Sequence, residues 1–194
     1  MSVALTFDDG PEAAATPLIL DILAERGVPA TFFVIGAHAQ AHPELIRRQL
    51  DEGHAVQPHC WDWESHNRQA RLGAEALEAD LARTLRTLEA LGCPAPALWR
   101  PPMGHISDPD SFDAARACGL RVMTWTLETY DWHEGHGVDR ILRDVRADGV
   151  LEPDSVILMH DLHKTARLLP RLLDLVAERG HAIGPLAVEN PALR

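Results

Sequence analysis

A chain of 194 residues is long enough to bury one substantial core and short for two domains. Its hydrophobic share of 46% and charged share of 24% fit a globular protein in water and exclude a disordered or fibrous chain. A net charge of −11 with a pI near 5.4 repels nucleic acid and anionic lipid, so neither is an expected partner.

In chain order, Val3, Ala4 and Leu5 open a strand over Ser2–Phe7, and Asp8-Asp9-Gly10-Pro11 turns off its end. Thr16 can cap a helix whose first position is Pro17 and whose stop is Gly27. A strand over Ala30–Val34 follows, then a helix bracketed by Pro43 and Gly53. The third strand, Ala55–Gln57, runs into His59-Cys60-Trp61-Asp62-Trp63-Glu64-Ser65-His66. A long helix from about Ala74 to Leu91 carries Leu77, Leu81, Leu85 and Leu88 on one face and stops at Gly92. Strand Ala97–Trp99 leads into Arg100-Pro101-Pro102-Met103-Gly104, and Asp108-Pro109 and Gly119 bracket another helix. Strands over Arg121–Thr126, Ser155–Met159 and Ala182–Leu186 complete the set. Strands alternating with helices in one domain over residues 1–194 predict an α/β fold with mostly parallel strands, closed or nearly closed into a barrel. In such folds the C-terminal ends of the strands carry the site, and the motif residues fall there.

No apolar run reaches the roughly 18 residues of a membrane span, so no membrane association is expected. The first residues enter a strand without a basic segment, apolar stretch and cleavage site, so the expected location is cytoplasmic, or exported if a leader precedes them. Cys60, Cys93 and Cys118 are an odd count without a CxxC pair, which suggests reduced thiols. The sequence leaves the oligomeric state open.

Asp8 and Asp9 are adjacent like charges, costly unless a cation or a shared proton relieves them. The pair suits a site where one carboxylate binds metal and the other moves protons; it also suits an ordinary turn. Four further segments join it: His59 to His66, Trp99-Arg100-Pro101-Pro102-Met103-Gly104, Asp131-Trp132, and Ile157-Leu158-Met159-His160-Asp161. In order and approximate spacing these resemble the five motifs of the polysaccharide deacetylases, the NodB-homology family of carbohydrate esterases. The resemblance runs from Ser2 to about Leu186.

The resemblance implies a distorted (β/α)7 barrel and hydrolysis of N-acetyl groups from a sugar or glycan, with release of acetate. It assigns Asp8 as general base, Asp9 as metal ligand and His160 as general acid. Arg100 would orient the catalytic Asp8, with Asp131 as its counter-ion. The backbone N–H of Met103, stiffened by two prolines, would serve as oxyanion donor, though the family usually has Tyr or Phe at this position. Trp132 would wall the acetyl pocket and Leu158 would line it. Glu128, where relatives often have Asp, receives no catalytic role.

The histidine segment departs from the family pattern of two histidines four residues apart, because Trp63 stands at that position. In one reading Asp62-Trp63-Glu64 is an insertion that loops out, and His66 completes a metal site with Asp9 and His59. In the other the second ligand is lost, with Cys60, Asp62 and Glu64 held in reserve. The cofactor implied is a divalent metal, zinc first, with cobalt or nickel accepted by the same donors. The expected partner is an N-acetylated carbohydrate or a small amide. Alternatives are a metal-independent amide or imide hydrolase on the same fold, or an inactive carbohydrate-binding domain. The remaining histidines, His38 and His54 among them, read mostly as solvated, with His105, His133 and His136 as candidate substrate contacts; Trp61 and Trp63 read either as sugar-stacking or as packing residues.

Overall fold

The apolar run that opens the chain becomes the centre of the sheet. The computed structural model describes residues 2–106, 109–147 and 149–186. In it the chain runs β1 (Ser2–Asp8), α1 (Thr16–Arg26), β2 (Thr31–Ile35), α2 (Gly36–Ala41), α3 (Pro43–Asp51), β3 (Ala55–Cys60), α4 (Trp63–Arg68) and α5 (Ala74–Ala90). It continues through β4 (Leu98–Trp99), α6 (Pro109–Ala117), β5 (Arg121–Val122), β6 (Leu127–Glu128), α7 (Val138–Arg146), β7 (Val156–His160), α8 (His163–Glu178) and β8 (Ala182–Ile183). Among these residues no helix is long and apolar enough to cross a membrane.

All strand pairings are parallel. One sheet runs β3-β2-β1-β7-β6, β8 adds to the start of β1, and β4 and β5 form a separate pair. The Gln57 side chain joins the two parts: its Oε1 accepts the N–H groups of Ala97 and Leu98 at 3.1 and 2.9 Å. Trp99 Nε1 donates to the His59 carbonyl at 2.7 Å across the same seam. The result is the expected distorted barrel of mostly parallel strands.

Successive side chains of a strand face opposite sides, and β1 uses both. Val3, Leu5 and Phe7 join a core with Ile19, Leu20 and Leu23 of α1 and Leu168, Leu169 and Leu172 of α8. Thr6 and Asp8 share the other face, where both bond Arg100. β7 pairs with β1 so that Thr6 lies opposite Leu158 and Asp8 opposite His160. Base and acid candidates therefore come from adjacent positions on neighbouring strands.

The structure corrects several expectations. Of the strand expected over Arg121–Thr126 only Arg121–Val122 forms, as β5; Met123 N–H still bonds Trp99 O, but Thr126 N–H bonds Val156 O as the chain crosses to β6 at Leu127. The four helices expected from sequence are present, and α2, α4, α7 and α8 join them. In α8, Leu168, Leu169, Leu172, Leu173 and Val176 repeat at helical spacing, with Pro170 inside the helix. Thr16 lies within α1 rather than capping it. The N–H groups of Ala14 and Ala15 are taken by the Glu12 carboxylate instead. Asp108, expected beside Pro109 at the start of α6, lies outside the described residues. Cys60, Cys93 and Cys118 are free thiols.

Candidate active site and metal centre

Asp8 is buried at the end of β1, with its Oδ1 2.8 Å from Arg100 Nη1. The same nitrogen donates to Thr6 Oγ1 at 2.8 Å, while Arg100 Nη2 donates to the Thr124 carbonyl at 2.9 Å. The guanidinium lies 4.2 Å over the Phe33 ring and is fully buried, with its pKa lowered by burial against the opposing pull of Asp8. Arg100 therefore grips Asp8 directly.

The partner expected for Arg100 is elsewhere. Asp131 Oδ2 accepts the backbone N–H of His160 at 2.7 Å and the Thr165 hydroxyl at 2.5 Å. Its Oδ1 accepts from His160 Nδ1 at 2.8 Å. The physical reason is position: Tyr130, at a φ of 54°, turns the chain so that Asp131 docks beside the end of β7. Burial lowers the His160 pKa, but the Asp131 hydrogen bond and charge, with Asp8 and Asp9 behind them, raise it to about 9.

Asp9 has a φ of 73°, a left-handed conformation that Asp tolerates better than most residues with a side chain. His38 Nδ1 donates to its carbonyl at 2.9 Å, and Ile35 N–H bonds the carbonyl of Gly10 at 2.9 Å. On the other side Asp161 fills the space at Gly10, where a Cβ would meet its Oδ2 at 2.1 Å. Burial drives the Asp161 pKa up to about 7, against the Thr16 hydroxyl that donates to Oδ2 at 2.6 Å. Sequence reasoning gave neither His38 nor Asp161 a role; only the place of Asp161 at the end of the fifth motif signalled either.

The turn at Asp9 points its Oδ1 at two imidazoles, 3.3 Å from His59 Nε2 and 3.5 Å from His66 Nε2. This oxygen is buried without a hydrogen-bond partner. Ligand atoms of Asp9, His59 and His66 all lie within 4.8 Å of one another, the arrangement that a single cation requires. His59 Nδ1 is 2.7 Å from the Arg100 carbonyl, which can only accept, so Nδ1 carries the proton and Nε2 presents its lone pair. Burial raises the Asp9 pKa, but the neighbouring histidines, His59 first, bring it below its usual value.

Asp62-Trp63-Glu64 does not loop out. Asp62 Oδ1 accepts Ser65 N–H at 2.9 Å and caps α4, so Trp63 and Glu64 form its first turn and His66 faces Asp9 from the same helix. Of the reserve ligands, Cys60 is buried with its thiol pKa pushed far up by burial, Asp62 is the cap, and Glu64 pairs with Arg68. Trp61 is only 7% exposed, beneath the Arg83 guanidinium at 3.7 Å, and is a packing residue. Trp63 is 46% exposed and sets its ring edge-on to His66.

Asp8, Asp9, His59, His66, Leu158 and His160 line one cavity of about 400 Å³. Met103, Trp125, Glu128 and Trp132 close its other side. The Met103 N–H makes no hydrogen bond among the described residues, and its side chain is 57% exposed. Trp132 is 51% exposed and donates its indole N–H to Glu128 Oε1 at 3.0 Å. All ten site residues expected from sequence are thus brought to this cavity or, for Arg100 and Asp131, bonded to a residue lining it.

The sequence profile of the polysaccharide deacetylase family matches residues 1–123. The chain belongs to the polysaccharide deacetylase family. It is 36% identical to a chitooligosaccharide deacetylase of Sinorhizobium fredii over 95% of its own length and 90% of that protein. It is 34% identical to the peptidoglycan-N-acetylglucosamine deacetylase PgdA of Listeria monocytogenes, covering 84% of this chain and 33% of that one. A family 4 carbohydrate esterase from Streptomyces lividans, solved in complex with acetate, superposes with a TM-score of 0.87 at 30% identity over 97% of this chain and 94% of that one. Against the motif pattern that the sequence resembles, this chain's departures are the seven-residue histidine spacing, Met103 and Glu128.

Proposed function

We propose that the chain hydrolyses the acetamido group of an N-acetylated sugar, using a divalent metal held by Asp9, His59 and His66. One observation carries the reading: a buried carboxylate, an Asp-paired histidine and a three-ligand cluster share the same cavity. A cation there supplies a water of lowered pKa and polarises the acetyl carbonyl. Two imidazoles and one carboxylate suit zinc, and cobalt or nickel fit the same set.

Asp8, fixed by Arg100, takes a proton from the attacking water. The Met103 N–H donates to the carbonyl oxygen as it gains charge. His160, held by Asp131, delivers its proton to the nitrogen as the carbon–nitrogen bond breaks, leaving acetate and a free amine. Leu158 and Trp132 enclose the methyl group. Oligosaccharides containing N-acetylglucosamine are the first substrates to test, because the matched relatives are named for such glycans. Acetate release should fall on chelation and return with zinc. Release unaffected by chelation would instead identify a metal-independent amide hydrolase.

The pH profile tests the acid. A His160 pKa near 9 keeps the proton available at neutral pH, so activity should decline as pH rises through the His160 pKa. A bound cation opposes the Asp8 and Asp9 share of the rise and leaves the Asp131 share in place. Asp131→Asn should therefore move the alkaline limb to lower pH, and His160→Ala should abolish that limb. An unmoved limb in Asp131→Asn would assign it to another group. The same raised pKa favours folding fully below about 6.5. That contribution is lost as pH rises through about 9.

A further inference from the structure

The metal reading asks two histidines seven residues apart to meet at one point. A connector longer by three residues than the usual spacing has more conformations, and an unrestrained one would leave the second imidazole out of place. Several contacts restrain it. Ala37 N–H donates to the Trp61 carbonyl at 2.8 Å. The Trp61 ring is pressed against Gly36, where a Cβ would come within 2.7 Å of it.

The remaining anchor comes from a different helix. Asp80 on α5 directs Oδ2 back to the Trp61 N–H at 2.9 Å. The Ser65 hydroxyl interacts with the same carboxylate. Residue 61 lies just after the first ligand and residue 65 just before the second, so the Asp80 carboxylate anchors one end of the connector directly and lies beside the other.

We propose that Asp80 is a positioning residue for His66, and that it sets metal affinity by fixing the connector between the two histidine ligands. This rests on the metal reading above. Asp80 itself touches neither the ligand atoms nor the cavity. Its effect should appear in binding of the ion, whether or not substrate is turned over.

The test uses the full chain, stripped by chelation and titrated with cobalt or zinc against a chromophoric competitor. Asp80→Ala should weaken binding by about 10–100-fold, the range seen when supports of metal ligands are removed. The visible absorption of the cobalt form should lose intensity as the third protein ligand slackens. Asp80→Asn keeps an oxygen acceptor for the Trp61 N–H and should restore affinity and spectrum. Parent-like binding by Asp80→Ala, or no rescue by Asp80→Asn, overturns the proposal. Should Asp80→Ala fail to fold, Asp80→Ser, too short to reach Trp61, carries the same comparison and the same criterion. A parent chain that binds neither ion overturns the metal reading itself, an outcome recognisable without any variant.

Discussion

Asp8→Asn should lower acetate release by about 10²–10⁴-fold, the usual contribution of a positioned acid–base group, with bound metal near the parent level. Asparagine keeps an oxygen acceptor for Arg100 Nη1, now 2.8 Å from Asp8 Oδ1, so the buried guanidinium is not stranded. It cannot accept a proton from water, and only that capacity is removed. Metal content and turnover measured on the same sample separate the two roles of the aspartate pair. Loss of metal, or activity within about tenfold of the parent, would take Asp8 out of the base role.

His66→Ala should do more damage to metal binding than any supporting residue, exceeding the about 10–100-fold cost of outer-shell changes. It removes one of the three donors that cluster among the described residues, and turnover should disappear with the ion. Trp63→His, which recreates the four-residue spacing, should change affinity little. Trp63 is 46% exposed beside His66, at 5.0 Å between ring centroids, and also contacts the His38 ring at 5.9 Å. If the second ligand were absent from this chain, the outcomes would invert. His66→Ala would then be silent, and Trp63→His would raise metal affinity.

Much of this arrangement is legible in the sequence because each motif residue follows a strong local signal. Asp8 and His160 both end apolar strands, and parallel pairing brings them opposite each other although 152 residues separate them. Arg100 follows Trp99 and precedes two prolines, which fixes its place beyond β4. Legibility fails where closure of the barrel chooses between chemically equal partners. Asp131 could pair with Arg100 or His160 on charge alone, and the turn at Tyr130 decides for His160. His38 and Asp80 carry no motif. They matter because α2 and α5 pack beside the Asp9 turn and the histidine connector. The connector itself reads as an insertion in sequence, and becomes a capped helix once Asp62 meets the Ser65 N–H.

Whether His66 replaces the family's second histidine ligand is decided by a crystal structure of the zinc-loaded protein. One ion should be bound by Asp9, His59 and His66, with each histidine nitrogen about 2.0–2.1 Å from it. A zinc held by Asp9 and His59 alone, with the His66 ring turned to solvent, would contradict it.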